Sequence, residues 1–402
     1  MVDAPFANPF RPGAGHRPPY LAGRVHEKDE FRKLLGQTVV TDNLVLTGLR
    51  GVGKTVLLEE LKPMALSEGW LWVGTDLSES ASISEPNIAQ RLITDLSVVT
   101  NSIKVGESTK TPVGFSSTET RTDITLSYEL LTAVYNSTPG LTVDKLKAVF
   151  SIVSQNLPPT GRKGIVFAYD EAQNLADHAQ KEQYPLSVLL DLFQSIQRQG
   201  TPFLLVLVGL PTLFPKLVES RTYTERMFRV LFLSQLSEAE SKAAIQKPVQ
   251  AAKCPVDFNP NAVGLIYQHS GGYPYFIQFI CREAYDSYIQ QVADGKQPSV
   301  PVTSIIRKLD TDFFAGRWAR VTDRQQQILY VIANIDSVNS EFTVQEILAK
   351  SEELLDKPFS RSHINQLLTS LISAGLIYRD RHGKYLFAVP LMADFIKRAV
   401  EG

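Results

Sequence analysis

The chain has 402 residues, of which 44% are hydrophobic and 21% charged, a soluble globular composition with room for two or three domains. A formal net charge of -1 excludes a protein that coats nucleic acid by bulk positive charge, so any such contact must come from a local patch. Two cysteines, Cys254 and Cys281, make neither a disulfide framework nor a zinc site; each sits in an apolar helical setting that suits a small hydrophobe.

Residues 1 to about 20 carry Pro5, Pro9, Pro12, Pro18 and Pro19 and read as an extended arm, with helical pattern beginning near Glu27 to Leu35. The arm has no long apolar core, so it reads as neither a signal peptide nor a membrane anchor. The longest apolar run, Phe203 to Leu210, is far short of the ~20 residues that a spanning helix needs, and a cytoplasmic protein without membrane contact is the expectation.

From about residue 40 to 235, apolar runs alternate with amphipathic stretches, which predicts an α/β core around a parallel sheet. The predicted buried strands are Leu44 to Thr47, Leu71 to Gly74, Ile165 to Tyr169, Phe203 to Val208 and Val230 to Leu233. Between Val99 and Asp123 the text is rich in Ser, Thr and Gly and shows no period, which predicts a mobile surface insertion. Ser237 to about Gln291 is helical in pattern, and Asp294 to Pro301 reads as a linker. The expected organisation is an arm over 1–20, an α/β core over 21–235, a helical lid over 236–298 and a small module over 299–402.

The first predicted strand runs into Gly48-Leu49-Arg50-Gly51-Val52-Gly53-Lys54-Thr55, followed by helical pattern from Val56. Strand, glycine loop and helix stand in the order of a P-loop for ATP and Mg²⁺. Glycines let successive backbone N–H groups turn inward around phosphates, and the helix N-terminus adds the positive end of its dipole. Lys54 is expected to neutralise phosphate oxygens and Thr55 to ligate Mg²⁺ through its hydroxyl.

A second predicted strand, Ile165 to Tyr169, ends on Asp170 and Glu171. Strands of this kind aim their C-terminal residues at the ligand crevice. Asp170 is expected to hold Mg²⁺ through water, and Glu171 to accept the proton of an attacking water. The structural alternative is that the acidic pair caps a helix starting near Ala172.

With these two elements the chain resembles the AAA+ and STAND superfamily of P-loop ATPases, and the likeness covers about residues 18 to 400. The resemblance implies ATP hydrolysis, a five-stranded parallel sheet with a helical lid, and a winged helix-turn-helix after it. Leu21-Ala-Gly-Arg24 is similar to the element that precedes the P-loop in STAND proteins and whose backbone contacts adenine; a plain helix start is the other reading. Gly209 stands where AAA+ proteins carry a polar sensor residue, with Thr212 as a possible substitute. Arg226, in Glu225-Arg-Met-Phe-Arg229, matches the arginine that reaches a neighbouring subunit's nucleotide, which implies self-assembly on ATP binding; a solvated surface arginine is the alternative. Gly272-Tyr-Pro274 is similar to the STAND Gly-x-Pro motif, with Pro274 in place of the AAA+ lid arginine and against the nucleotide. Pro in a first helical turn is also favoured by geometry alone.

In the last hundred residues, Thr322 to Ile332, Thr343 to Ala349 and Ser360 to Ile372 are predicted helices, and apolar stretches around His382 and Gly383 predict a hairpin. Ile364, Leu367, Leu368 and Leu371 share the core face of the third helix. Arg361, Ser362, Asn365, Gln366 and Thr369 share the other face, suited to base edges or phosphates, with Arg379, Arg381 and Lys384 on the wing. From Ser360 to Arg398 there are six basic residues (Arg361, Arg379, Arg381, Lys384, Lys397, Arg398) against two acidic ones (Asp380, Asp394). DNA is therefore the expected partner, with a protein-binding platform as the alternative.

The preferred expectation is a slowly hydrolysing, ATP-controlled DNA-binding switch similar to origin-recognition-type initiators or transposition-helper ATPases. The second is a STAND-like signalling or defence ATPase in which the winged helix makes protein contacts and ATP drives assembly.

Overall fold

The computed structural model describes residues 7–13, 15–110, 120–253, 256–336, 341–381 and 383–401. Cys254 lies outside them, whereas Cys281 is a buried free thiol. The fold is α/β and divides into two compact units, one of residues 25–47 and 57–232 and the other of residues 1–24, 48–56 and 233–402.

The first unit is built on a five-stranded parallel sheet of order β2-β5-β6-β1-β7, comprising β1 (Asn43–Gly48), β2 (Trp70–Asp76), β5 (Gly164–Asp170), β6 (Phe203–Gly209) and β7 (Phe228–Leu233). All five match predicted strands. The three central strands are buried along their whole length, as unbroken apolar runs require, while the edge strands β2 and β7 expose alternate positions. Helices α1 (Val25–Leu35), α2 (Lys54–Ser67), α3 (Glu85–Thr100), α4 (Tyr128–Ser137), α5 (Thr142–Asn156), α6 (Pro185–Arg198) and α7 (Leu213–Ser220) accompany the sheet in sequence. Phe150, Phe167, Phe193 and Phe203 form the aromatic centre of this core, with ring centroids 5.1 to 5.9 Å apart. Such pairs add about 0.5–1.5 kcal/mol each beyond the area they bury.

The segment read as an irregular insertion contains an antiparallel pair, β3 (Lys104–Lys110) and β4 (Thr120–Thr125). Residues 111–119, also within that reading, lie outside the described residues. The pair escaped the sequence reading because neither strand alternates apolar with polar residues; its ends are held by the ladder and by a Lys104–Asp123 ion pair at 2.5 Å.

In the second unit, α8 (Glu238–Ala251), α9 (Pro260–Ser270) and α10 (Pro274–Ala293) are helices, over the segment whose pattern is helical and which is read as a lid. Ser237 and Glu240 make a capping box at the start of α8, and Asn259 caps α9. Residues 294–301 are irregular, as the linker prediction requires, and are followed by α11 (Val302–Leu309), a π-turn at Asp310–Phe314 and the short α12 (Ala315–Trp318). Then come α13 (Asp323–Ala333), α14 (Val344–Leu354), α15 (Arg361–Ser373), the hairpin β8 (Ile377–Arg381) and β9 (Lys384–Phe387), and α16 (Met392–Glu401). A bridge between Phe342 and Tyr385 adds a third short strand position to the hairpin. Capping boxes at Thr322 with Gln325 and at Thr343 with Glu346 explain where α13 and α14 begin.

Lid and C-terminal helices share one hydrophobic core. Phe276 of α10 stacks on Phe314 of the π-turn at 5.9 Å, and Phe314 stacks on Phe395 of α16 at 5.1 Å. A bidentate pair from Arg398 to Asp310, at 2.9 and 2.7 Å, holds α16 to the same turn. The N-terminal arm is extended and docks on the lid: Phe10 is buried beside Phe258, and Asn8 Nδ2 donates to the Arg282 carbonyl at 2.9 Å.

Candidate functional site

The glycine loop adopts the conformation its composition calls for. Gly51 and Gly53 lie at φ +79 and +89, where a side chain is strained, and a Cβ on Gly48 would stand 2.6 Å from the Leu233 carbonyl oxygen. Lys54 opens α2 and folds its Nζ back over the loop, donating to the carbonyls of Gly48 at 2.9 Å and Leu49 at 3.0 Å. Thr55 and Val56 follow in the first turn of the helix.

Two segments distant in sequence fasten this loop. Arg24 is buried with φ +66, and its Nη2 donates to the Val52 carbonyl at 2.9 Å and the Ser234 carbonyl at 2.8 Å. Leu21 is half-buried beside Ala22, which belongs to the core of the same unit. At the start of α10, Tyr275 N donates to the Gly51 carbonyl at 3.1 Å, and Pro274 Cγ lies 4.0 Å from where a Cβ on Gly53 would sit. Pro274 occupies the first turn of its helix, as geometry favours. Arg50 is exposed, and its Nη2 lies 3.8 Å from the position of a Cβ on Gly375, just before β8. The Arg24 and Tyr275 bonds were not foreseen, because a backbone acceptor leaves no mark on the sequence.

In the sheet unit, Thr47 at the end of β1 pairs in register with Gly209 at the end of β6, and Asp170 ends β5 at the same edge. The Thr47 hydroxyl is buried without a hydrogen-bond partner. Asp170 is 4% exposed, and its Oδ1 accepts from Glu171 N at 2.8 Å. Glu171 is exposed, sits in the left-handed region at φ +51, and precedes a short 3₁₀ turn at Ala172–Asn174 that its side chain does not cap. The capping alternative therefore does not account for Glu171.

A single buried carboxylate and a threonine hydroxyl are hard oxygen donors of the kind Mg²⁺ takes when phosphates and water complete its octahedron. Among the described residues no group of three or more His, Cys, Asp or Glu could cage a metal alone. Asp170 is such a carboxylate in the first unit, and Thr55 carries such a hydroxyl in the second.

At Gly209 the carboxamide of Gln173 is inserted. Its Oε1 accepts from Leu210 N at 3.1 Å, and its Nε2 donates to Glu171 Oε2. Thr212 is half-buried and makes no capping bond at the start of α7. Arg226 closes a 3₁₀ turn, Thr222–Arg226, and is exposed. Its neighbours are engaged otherwise: Arg221 forks onto Asp191 at 3.0 and 2.9 Å, and Arg229 pairs with Glu30 at 2.5 Å.

In α15, Ile364, Leu367, Leu368 and Leu371 are buried, and Arg361, Ser362, Asn365, Gln366 and Thr369 are exposed, the division the sequence pattern predicts. Arg379 is exposed and Lys384 half-exposed on the hairpin, while the side chain of Arg381 lies outside the described residues. Of the six basic residues in this stretch, Arg398 is spent on Asp310.

Residues 311–396 match a family model described as "Domain of unknown function (DUF8462)". No curated protein matches the chain. Among solved structures it is similar to the ADP form of the Aeropyrum pernix ORC2 protein, at 14% identity and a TM-score of 0.55, over 97% of this chain and 98% of that one. The ADPNP-ADP complexes of the same protein give a TM-score of 0.53 at 14% identity, again over 97% of this chain and 98% of that one. Cdc6p from Pyrobaculum aerophilum, at 14% identity, covers 97% of each chain with a TM-score of 0.47. At this level of identity the likeness is one of fold alone, shared with the Aeropyrum pernix ORC2 structures.

Proposed function

We propose that this protein binds ATP with Mg²⁺, hydrolyses it slowly to ADP and phosphate, and uses its nucleotide state to control DNA binding by the C-terminal module, read as a winged helix. Lys54 and the loop from Gly48 to Val56 hold the phosphates. Thr55 and Asp170 hold the metal, and Glu171 takes the proton of the attacking water. Leu21, Arg24 and Pro274 line the nucleotide's flank. The two nucleotide-bound forms of the Aeropyrum pernix protein, whose fold this chain shares, support the ligand class.

The observation that carries the switch reading is that glycine loop, lid and C-terminal helices belong to one compact unit, in which lid and C-terminal helices share a core. Gly51 is bonded to Tyr275, the Tyr275 ring lies 5.1 Å from that of Phe313, and the adjacent Phe314 stacks on Phe395. A change in the loop therefore meets a continuous packed path into the C-terminal module. Gly209 and Pro274, which by the resemblance stand where AAA+ engines carry polar sensors, support slow turnover. The exposed polar face of α15, with Arg361, Asn365 and Gln366, and the basic hairpin with Arg379, Arg381 and Lys384 support DNA as the ligand.

The test is a DNA titration against salt in ATP, ADP and no nucleotide. Affinity is expected to depend on nucleotide, and Arg379→Ala, Arg381→Ala and Lys384→Ala together are expected to weaken binding and flatten its salt slope. Unchanged binding in that triple variant counts decisively against the reading. A second reading, signalling by ATP-driven assembly with a protein partner, is favoured by the exposed Arg226; assembly with ATP and without DNA, seen by light scattering, would select it.

A further inference from the structure

The Gln173 side chain joins the end of β6 to the acidic end of β5. Its two bonds orient the carboxamide: the oxygen must face the Leu210 N–H, which leaves the nitrogen to donate to Glu171 Oε2. The turn that carries it is pinned on both sides. Lys216 Nζ donates to the Gln173 carbonyl at 2.7 Å, and Asn174 Nδ2 donates to the Leu77 carbonyl at 3.0 Å. Glu171 N is held by Asp170, and Asn174 N by the Glu171 carbonyl at 2.9 Å. The exposed carboxylate is thus attached to a rigid frame through Gln173.

Gly209 is what admits this side chain. A Cβ built there stands 2.5 Å from Gln173 Oε1, closer than atoms approach, and 3.0 Å from Leu213 Cδ2, a side-chain end that can yield. The glycine that looks like a lost sensor is therefore the space that the carboxamide fills.

We infer that Gln173 is the positioning residue for Glu171, supplying from the turn after β5 the polar group that the end of β6 lacks. It touches neither phosphate nor water in this role; it sets the direction in which the Glu171 carboxylate presents its oxygens to the attacking water. The inference rests on the ATPase reading above. A misdirected base loses rate with little effect on substrate binding, because the contact matters at the proton transfer and not in holding the nucleotide.

The experiment is a double-mutant cycle on the full chain with Gln173→Ala and Gly209→Ala, read in two ways. In steady-state ATP hydrolysis, each single variant is expected to lose roughly tenfold to a hundredfold in kcat with KM and ATP affinity unchanged. Adding Gly209→Ala to Gln173→Ala is expected to cost nothing further. In thermal unfolding without nucleotide, Gly209→Ala is expected to lower Tm, and the loss to vanish once Gln173 is Ala. Wild-type kcat in Gln173→Ala, or additive losses in either readout, overturns the inference and leaves the ATPase reading standing. A wild-type chain that neither binds nor hydrolyses ATP overturns that reading and the positioning role with it.

Discussion

Arg24 donates to the Val52 carbonyl at 2.9 Å, so a buried guanidinium from the segment before the first helix holds the glycine loop by its main chain. The same nitrogen holds Ser234 at 2.8 Å, just beyond β7. Arg24→Ala leaves the buried Val52 carbonyl and the part-buried Ser234 carbonyl without this charged donor, a change worth about 1.5–3 kcal/mol for the buried bond to a charged group. A lower Tm is expected, together with ATP affinity weaker by about tenfold or more in calorimetry; wild-type affinity would remove Arg24 from the nucleotide site.

Lys54→Ala is expected to abolish ATP binding in a calorimetric titration. Glu171→Gln, by contrast, should bind ATP as the wild type does while turnover falls by about a hundredfold or more, the range for loss of a general base. Turnover that survives Glu171→Gln would assign the proton to another group.

Gly51→Ala forces a side chain to φ +79 and brings its Cβ within 3.1 Å of Tyr275 Cβ. The left-handed conformation alone costs about 1–2 kcal/mol. ATP affinity is expected to fall with secondary structure intact by circular dichroism, since the strain sits between the loop and the first turn of α10.

Arg226→Ala is expected to leave ATP affinity unchanged and to remove any ATP-dependent assembly seen by light scattering. Assembly that persists unchanged would return Arg226 to an ordinary surface role.

His269, near the end of α9, has its imidazole held below the usual value of 6.5, first by burial and then by the Arg398 charge, with Asp394 opposing. A depressed folded pKa means that the unfolded chain binds the proton more readily. The stability from neutral His269 is complete above about pH 6.5 and is lost as pH falls through the folded value. Tm is expected to decline between pH 7.5 and 5, and His269→Gln to flatten part of that decline. An identical pH profile in the variant would rule the residue out.

The five sheet strands, the glycine loop and the amphipathic face of α15 were legible because each is a local pattern. An unbroken apolar run, a glycine spacing or a 3.6-residue period is imposed by neighbours along the chain. The β3–β4 pair was not legible, since polar strands paired to each other carry no burial signal. Nor was Gln173: Ala172-Gln-Asn174 reads as an ordinary turn until Leu210 is brought alongside it.

The sequence by itself determined the chemistry available to this protein: glycines able to turn around phosphate, a lysine and a threonine after them, and an acidic pair at a strand end. These depend on residue type at fixed short spacing. Only the tertiary structure decided what holds those groups: Arg24 on Val52, Tyr275 on Gly51, and Gln173 between Glu171 and Leu210. Each of these joins a side chain or amide to a partner that long-range folding supplies, and in each at least one acceptor or donor is main chain, which every residue possesses and no sequence pattern marks.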